Sequence, residues 1–94
     1  MSFEIRFSVA ARADQQRLLD FIREKSPSAA AHAYSVLLGA FDQLIEFPLS
    51  GRSVGSSRIY VTRFGQGGYV IKYRVYDEVV VVSRIFHSRE NWRP

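Results

Sequence analysis

Apolar and polar residues alternate at the start of the chain. In "FEIRF", Phe3, Ile5 and Phe7 oppose Glu4 and Arg6, the period of two that marks a half-buried strand. The period then lengthens to that of a helix. Ser8 stands where an N-cap belongs, and the helix runs from about Val9 to Lys25. Its expected apolar side is Ala11, Leu18 and Ile22, widened by Leu19 and Phe21. Its expected wet side holds Arg12, Asp14, Gln15, Gln16, Arg17 and Arg23. Ser26-Pro27 restarts the chain, with serine as cap and proline in the first turn. A second helix then spans roughly Ser28 to Glu46. Its stripe is Ala30, Tyr34, Leu37, Phe41 and Leu44, broadened by Leu38 and Ile45, and Pro48 stops it.

"PLSGRSVGSS" reads as a loop, rich in Gly, Ser and Pro. After it, "RIYVTRF" is a strand, "GQGG" a tight turn and "YVIKYRV" a second strand. Tyr76-Asp77-Glu78 turns the chain again into "VVVVSRIFH". Connections this short predict an antiparallel meander. The predicted order is β-α-α-β-β-β, a single α+β domain over residues 1–94, with a helical hairpin packed on an antiparallel sheet. Tyr69, Ile71, Tyr73 and Val75 share one face of the middle meander strand, with Val70, Lys72 and Arg74 on the other. Arg63 joins Lys72 and Arg74 if the strand before them is in matching phase. That phase stays open, because Tyr60 and Phe64 serve equally well as core.

Composition narrows the class. An apolar share of 47% with 14% aromatics supports a packed interior. No apolar run reaches the ~20 residues that span a bilayer, and "MSFEIRF" lacks a signal-peptide core. With no cysteine there is no disulfide framework and no thiolate metal site. The expectation is a small soluble protein of the cytoplasm, without cofactor or membrane contact.

Charge is distributed unevenly. Residues 1–47 carry five cations and six acids, for −1; residues 48–94 carry eight cations and three acids, for +5. Seven of those eight cations are arginine, whose fork fits phosphate or carboxylate in two-pronged fashion. The second half therefore expects an anionic or acidic partner.

Candidate chemistry gathers in "RIFHSRENW" (84–92). His87 is the side chain suited to proton transfer near neutrality, with Arg63, Arg74, Arg84 and Arg89 as sources of positive charge. Glu46 and Glu90 are the carboxylates available as bases. Strand parity opposes this grouping: on a regular strand Arg84 and His87 point to opposite faces, and only a bulge or twist reunites them. His87 is then expected as a strand-end histidine whose ring bonds to backbone or to Glu90. His32 has no second ligand at metal spacing. "GQGG" precedes no helix, so it is a hairpin turn and not a phosphate loop.

Taken in order, these pieces resemble the RelE/ParE superfamily of toxins from type II toxin–antitoxin modules, and more specifically its ParE branch, the plasmid stabilisation family. The matching pieces are "AARADQQRLLDFI", "LIEFPLSGR", "RFGQGGYVIKYRV" and the closing "VVVVSRIFHSRENW", covering about residues 3 to 92. The resemblance implies a toxin held inactive by a ParD-like antitoxin in a hetero-oligomer, the antitoxin laying an extended segment and a helix over it. ParE-like members are understood to inhibit DNA gyrase. RelE-like members share the fold but cleave messenger RNA in the ribosome. This chain departs from the RelE pattern in two respects. It lacks the lysine cluster of the first meander strand, having only Lys25 and Lys72, and has no tyrosine after His87. The expectation is thus a gyrase-binding inhibitor with Arg52, Arg58, Arg63, Arg84, His87 and Arg89 as target-facing surface and "SRENWRP" as a contacting tail. The alternatives are a messenger-RNA endonuclease using His87, Arg63 and Arg84, and a non-toxic member that only binds antitoxin.

Overall fold

The computed structural model describes residues 3–92. Arg93 and Pro94, which end the expected tail, lie outside the described residues. The elements are β1 (Glu4–Phe7), α1 (Val9–Arg23), α2 (Pro27–Glu46), β2 (Arg52–Val54), β3 (Ser57–Phe64), β4 (Gly67–Tyr76) and β5 (Val79–His87). Both helices begin as their capping residues require: Ala11 N–H donates to Ser8 Oγ, and Ala29 N–H donates to Ser26 Oγ.

The five strands form one sheet in the order β1-β5-β4-β3-β2. The β2–β3, β3–β4 and β4–β5 pairs are antiparallel, but β1 runs parallel to β5. The sheet is therefore mixed, not antiparallel throughout. Apolar alternation tells which face of a strand is buried, but it is blind to neighbour and direction, so β1 carried no sign of its partner. β2 was likewise read as loop. Its three residues pair through Arg52 with Ile59 and Val54 with Ser57, too short a run for alternation to register.

Both helices pack on one sheet face. The core joins Ala11, Leu18 and Leu19 of α1 and Ala33, Leu37, Ala40, Phe41 and Leu44 of α2 to Tyr69, Ile71, Tyr73, Val80, Val82 and Ile85. Burying a side chain such as Leu37 contributes about 1.5–3 kcal/mol. Three expectations are corrected. Tyr34 and Leu38 are exposed, because the small Ala33 and Ala40 face the sheet and let α2 approach it closely. Phe21 is 61% exposed, lying to the solvent side of Leu18 and Ile22. Asp14 is buried, because positions 11, 14 and 18 form the helical stripe itself.

The phase of β3 is resolved by its pairing. Tyr60 lies opposite Ile71 and Phe64 opposite Gly67, which puts both on the helix side. Arg63 is opposite Gly68 and Val61 opposite Val70, which puts both on the outer face. On β5 the register slips by one residue: Lys72 faces Arg84 while Tyr73 faces Val82. Ser83 is the extra residue of this bulge, and its hydroxyl donates to Lys72 O at 3.1 Å.

Candidate functional site

The bulge decides how the end of β5 is presented. Because of Ser83, Ile85 and His87 join Val80 and Val82 on the helix side, while Arg84 and Phe86 face outward. The insertion precedes Arg84, so it leaves Arg84 and His87 on opposite faces. Regular parity alone had put Ile85 with Val81, not with Val82.

The outer face is built from rows that cross the sheet. Arg52 faces Ile59, Ile59 faces Lys72, and Lys72 faces Arg84, so one row carries three cations around a buried isoleucine. The next row, Val61–Val70–Phe86, is apolar, and Arg63 flanks it opposite Gly68. Arg74 donates to Ser57 Oγ at 3.3 Å on the other side of the cation row. Chemically this is an apolar strip between cationic borders, suited to an extended anionic partner with apolar groups.

Two of the expected target-facing arginines have structural duties. Arg58 donates to Gly51 O at 2.8 Å and Leu49 O at 3.3 Å, and so clamps the loop after α2. The same loop is held by Tyr73, whose hydroxyl donates to Pro48 O at 2.7 Å and accepts from Gly51 N–H at 2.9 Å. Arg84 grips Asp14 through Nε at 2.7 Å and Nη2 at 3.1 Å, with its guanidinium 4.7 Å from the Phe86 ring centre.

Asp14, expected on the wet side of α1, is instead the centre of a part-buried network. Beyond Arg84, it accepts from the buried Ile85 N–H at 2.9 Å and lies 3.6 Å from Arg17. Arg17 reaches on to Glu90 at 2.9 Å, and Glu90 accepts from His87 N–H at 2.7 Å. Burial opposes ionisation of Asp14. The hydrogen bonds from Arg84 and Ile85 N–H and the charges of Arg84 and Arg17 outweigh it, holding the carboxyl below its usual range. The same pair raises Arg84 above its ordinary value, the hydrogen bond to Asp14 being the largest cause. An acid in an apolar helical stripe was the available signal.

His87 has its own partners. Its Nδ1 accepts from Arg89 N–H at 3.1 Å, which requires a bare Nδ1 and places the ring proton on Nε2. Glu90 bonds the backbone of His87 and not its ring. The ring meets Tyr69 edge to face, at 6.0 Å between centroids. Ser88 ties the following residues to β4: its N–H donates to Gly68 O, and its Oγ accepts from Gly68 N–H. Arg52, Arg63 and Arg89 are exposed. A cleft of about 750 Å³ opens between α1, the β3–β4 turn and the end of β5, lined among others by Phe21, Phe64, Tyr69, His87 and Arg89. Thus Arg63 and Arg84 leave the sheet on one face and His87 on the other, although the Arg84 guanidinium turns back to Asp14 of α1. Among the described residues, no three His, Asp or Glu side chains group as a metal site. No helix among the described residues is long and apolar enough to cross a membrane.

The model of the ParE toxin of the type II toxin–antitoxin system parDE matches residues 5–92. The chain belongs to the ParE toxin family. It is similar to toxin RelE1 of Caulobacter vibrioides, 43% identical over 91 residues, with 96% of this chain and 98% of the relative covered. Toxin RelE3 of the same organism is 40% identical over 82 residues, covering 85% and 88%. In three dimensions the fold matches a chain of the chromosomal ParDE system from P. aeruginosa at a TM-score of 0.74. That match covers 94% of this chain and 98% of the other at 17% identity, so it speaks for the fold. A chain of the RelBE2 toxin–antitoxin complex from Mycobacterium tuberculosis matches at 0.63 and 26% identity, covering 93% and 99%. Family members thus carry both ParE and RelE names, and the site's chemistry has to separate the two activities.

Proposed function

We propose that this chain is the toxin of a type II toxin–antitoxin pair, that it acts by binding, and that its target is DNA gyrase. One observation carries the choice of binding over cleavage: His87 lies on the helix side of the sheet, Arg63 lies on the other, and the Arg84 guanidinium is tied up by Asp14. An RNA-cleaving site needs the proton-transfer group and the phosphate-binding cations around one scissile bond. Here the ring's Nδ1 is bonded to Arg89 N–H, and Arg84 is bound to Asp14. What remains exposed is Arg52 and Arg63 on the outer face and Arg89 at the mouth of the cleft, each suited to docking on an acidic or phosphate-bearing partner. The structural neighbours come from a ParDE system and a RelBE2 toxin–antitoxin complex, which supports an antitoxin partner, here of the ParD type.

Expression in cells without antitoxin tests the reading. Early arrest of DNA synthesis, with filamentous cells and intact messenger RNA, is the expected result. Early arrest of translation with cut messenger RNA overturns it in favour of the second reading, a ribosome-dependent endonuclease. That reading draws on the RelE names of the two relatives and on the Arg52–Lys72–Arg84 row, which suits a phosphate backbone. Normal growth would point instead to a member that only binds its antitoxin.

A further inference from the structure

The cleft beside His87 has two hydrogen-bond donors at its floor. Tyr69 is fully buried, and its hydroxyl has no hydrogen-bond partner among the described residues. Burial pushes the phenol above its usual range, so it keeps its proton. Next to it, His87 carries its ring proton on Nε2, because Nδ1 is bonded to Arg89 N–H. Gly67 leaves that ring edge uncovered: a Cβ there would come within 3.1 Å of His87 Cε1 and 3.2 Å of Nε2. A buried donor without an acceptor costs free energy of folding, which a ligand acceptor recovers on binding.

The walls are apolar and the mouth is cationic. Leu18 and Ile22 of α1 face Phe64 across the cleft, and Phe21 stands 61% exposed at the lip. Arg89 lines the mouth and takes part in none of the ion pairs found among the described residues. At about 750 Å³ the space admits a bulky side chain and its neighbour. Glu90, also at the mouth, is engaged by Arg17 and by His87 N–H and so leaves the donors unopposed.

From this geometry we infer that the cleft binds a carboxylate borne beside a bulky apolar side chain, on an acidic amphipathic segment of the antitoxin. The apolar side chain sits between Phe21 and Phe64. The carboxylate accepts from His87 Nε2–H within reach of Arg89, and from Tyr69 O–H once the side chains covering that buried hydroxyl part. The partner assignment rests on the toxin–antitoxin reading above; the preference for a carboxylate does not.

Isotope-labelled protein titrated with phenylpropionate, and separately with its uncharged amide, tests the chemistry by NMR. The amide signals of Gly65, Gly67, His87 and Arg89 are expected to move. The acid should bind about tenfold tighter than the amide, the scale of a charge-assisted hydrogen bond. Tyr69→Phe should lose most of that preference while folding at least as stably, since it deletes an unpartnered hydroxyl. Gly67→Ala, which crowds the His87 edge, should weaken the acid by a similar factor. Equal affinity for acid and amide, or an unchanged preference in Tyr69→Phe, overturns the inference. In a second arm, co-purified antitoxin should displace phenylpropionate from the toxin. Probe binding that persists in the complex overturns the partner assignment. If no neutralising antitoxin exists, the toxin–antitoxin reading fails, while the preference for acid over amide still decides the chemistry of the cleft.

Discussion

Asp14 of α1 and Arg84 of β5, 70 positions apart in the chain, meet in a two-pronged ion pair at 2.7 and 3.1 Å. The two ends of this pair are unequal. The Asp14 side chain is 7% exposed and that of Arg84 is 45% exposed.

Their stability effects should differ accordingly. Asp14→Ala strips the acceptor from both Arg84 and the buried Ile85 N–H, and the expected loss is about 2–4 kcal/mol. Arg84→Ala leaves Asp14 bonded to Ile85 N–H and close to Arg17, so about 1–2 kcal/mol is expected. Urea unfolding of the two variants measures the difference. Equal losses would mean that the bond to Ile85 contributes nothing.

Acid should dissolve the same network. The Asp14 carboxyl titrates lower in the folded chain than its usual value of 3.8. Its contribution is therefore complete above the unfolded-state value of about 3.9 and is lost as pH falls through the folded-state value. Stability followed from neutral pH downward should fall below about pH 4 in the parent chain. In Asp14→Asn that part of the slope should be missing. An unchanged slope would remove Asp14 as its source.

The loop after α2 depends on one hydroxyl. Tyr73→Phe removes the donor to Pro48 O and the acceptor for Gly51 N–H, with an expected cost of about 1–3 kcal/mol. Gly51→Ala should be no milder, because its Cβ would stand 2.5 Å from that hydroxyl and 2.9 Å from Ile59 O. Thermal unfolding of both variants provides the check, and a melting temperature equal to the parent's in either would contradict it.

Toxicity should separate the arginines by what holds them. Arg63→Ala and Arg89→Ala should raise plating efficiency under induction by about tenfold or more while leaving the unfolding midpoint unchanged, each removing one exposed charged contact. Relief by Arg84→Ala should come with lost stability, since that side chain is tied to Asp14. Full toxicity in both Arg63→Ala and Arg89→Ala would eliminate the basic docking surface.

The order of elements was legible because each long segment declares its period: "FEIRF" for β1, the stripes of α1 and α2, and the Tyr69–Val75 alternation of β4. What escaped was non-local. The parallel seat of β1 beside β5, the short β2 and the bulge at Ser83 arise from pairing partners that no window along the chain contains. The burial of Asp14 was hidden by a rule of thumb. Its charge argued for water, while its place in the 11–14–18 stripe argued for the interior, and the availability of Arg84 and Ile85 N–H let the stripe win. His87 and Arg84 were separable by parity alone, since the bulge falls before both. Tyr69 and Tyr73 both read as inward-facing. Nothing in the sequence told that one hydroxyl would be doubly bonded and the other left without a partner.

The substitution of side chains for a neighbouring strand beside β5 limits how a partner can attach. β1 ends at Phe7, yet Val82 O and Ser83 O are taken by Ser8, Ile85 N–H by Asp14 and His87 N–H by Glu90. Both outward N–H groups at the end of β5, those of Ile85 and His87, are thereby occupied, so a foreign strand finds neither of them open as a ladder donor. The outer edges of β1 and β2 are therefore the better places for an antitoxin to extend this sheet. Any grip it takes near His87 must come from side chains.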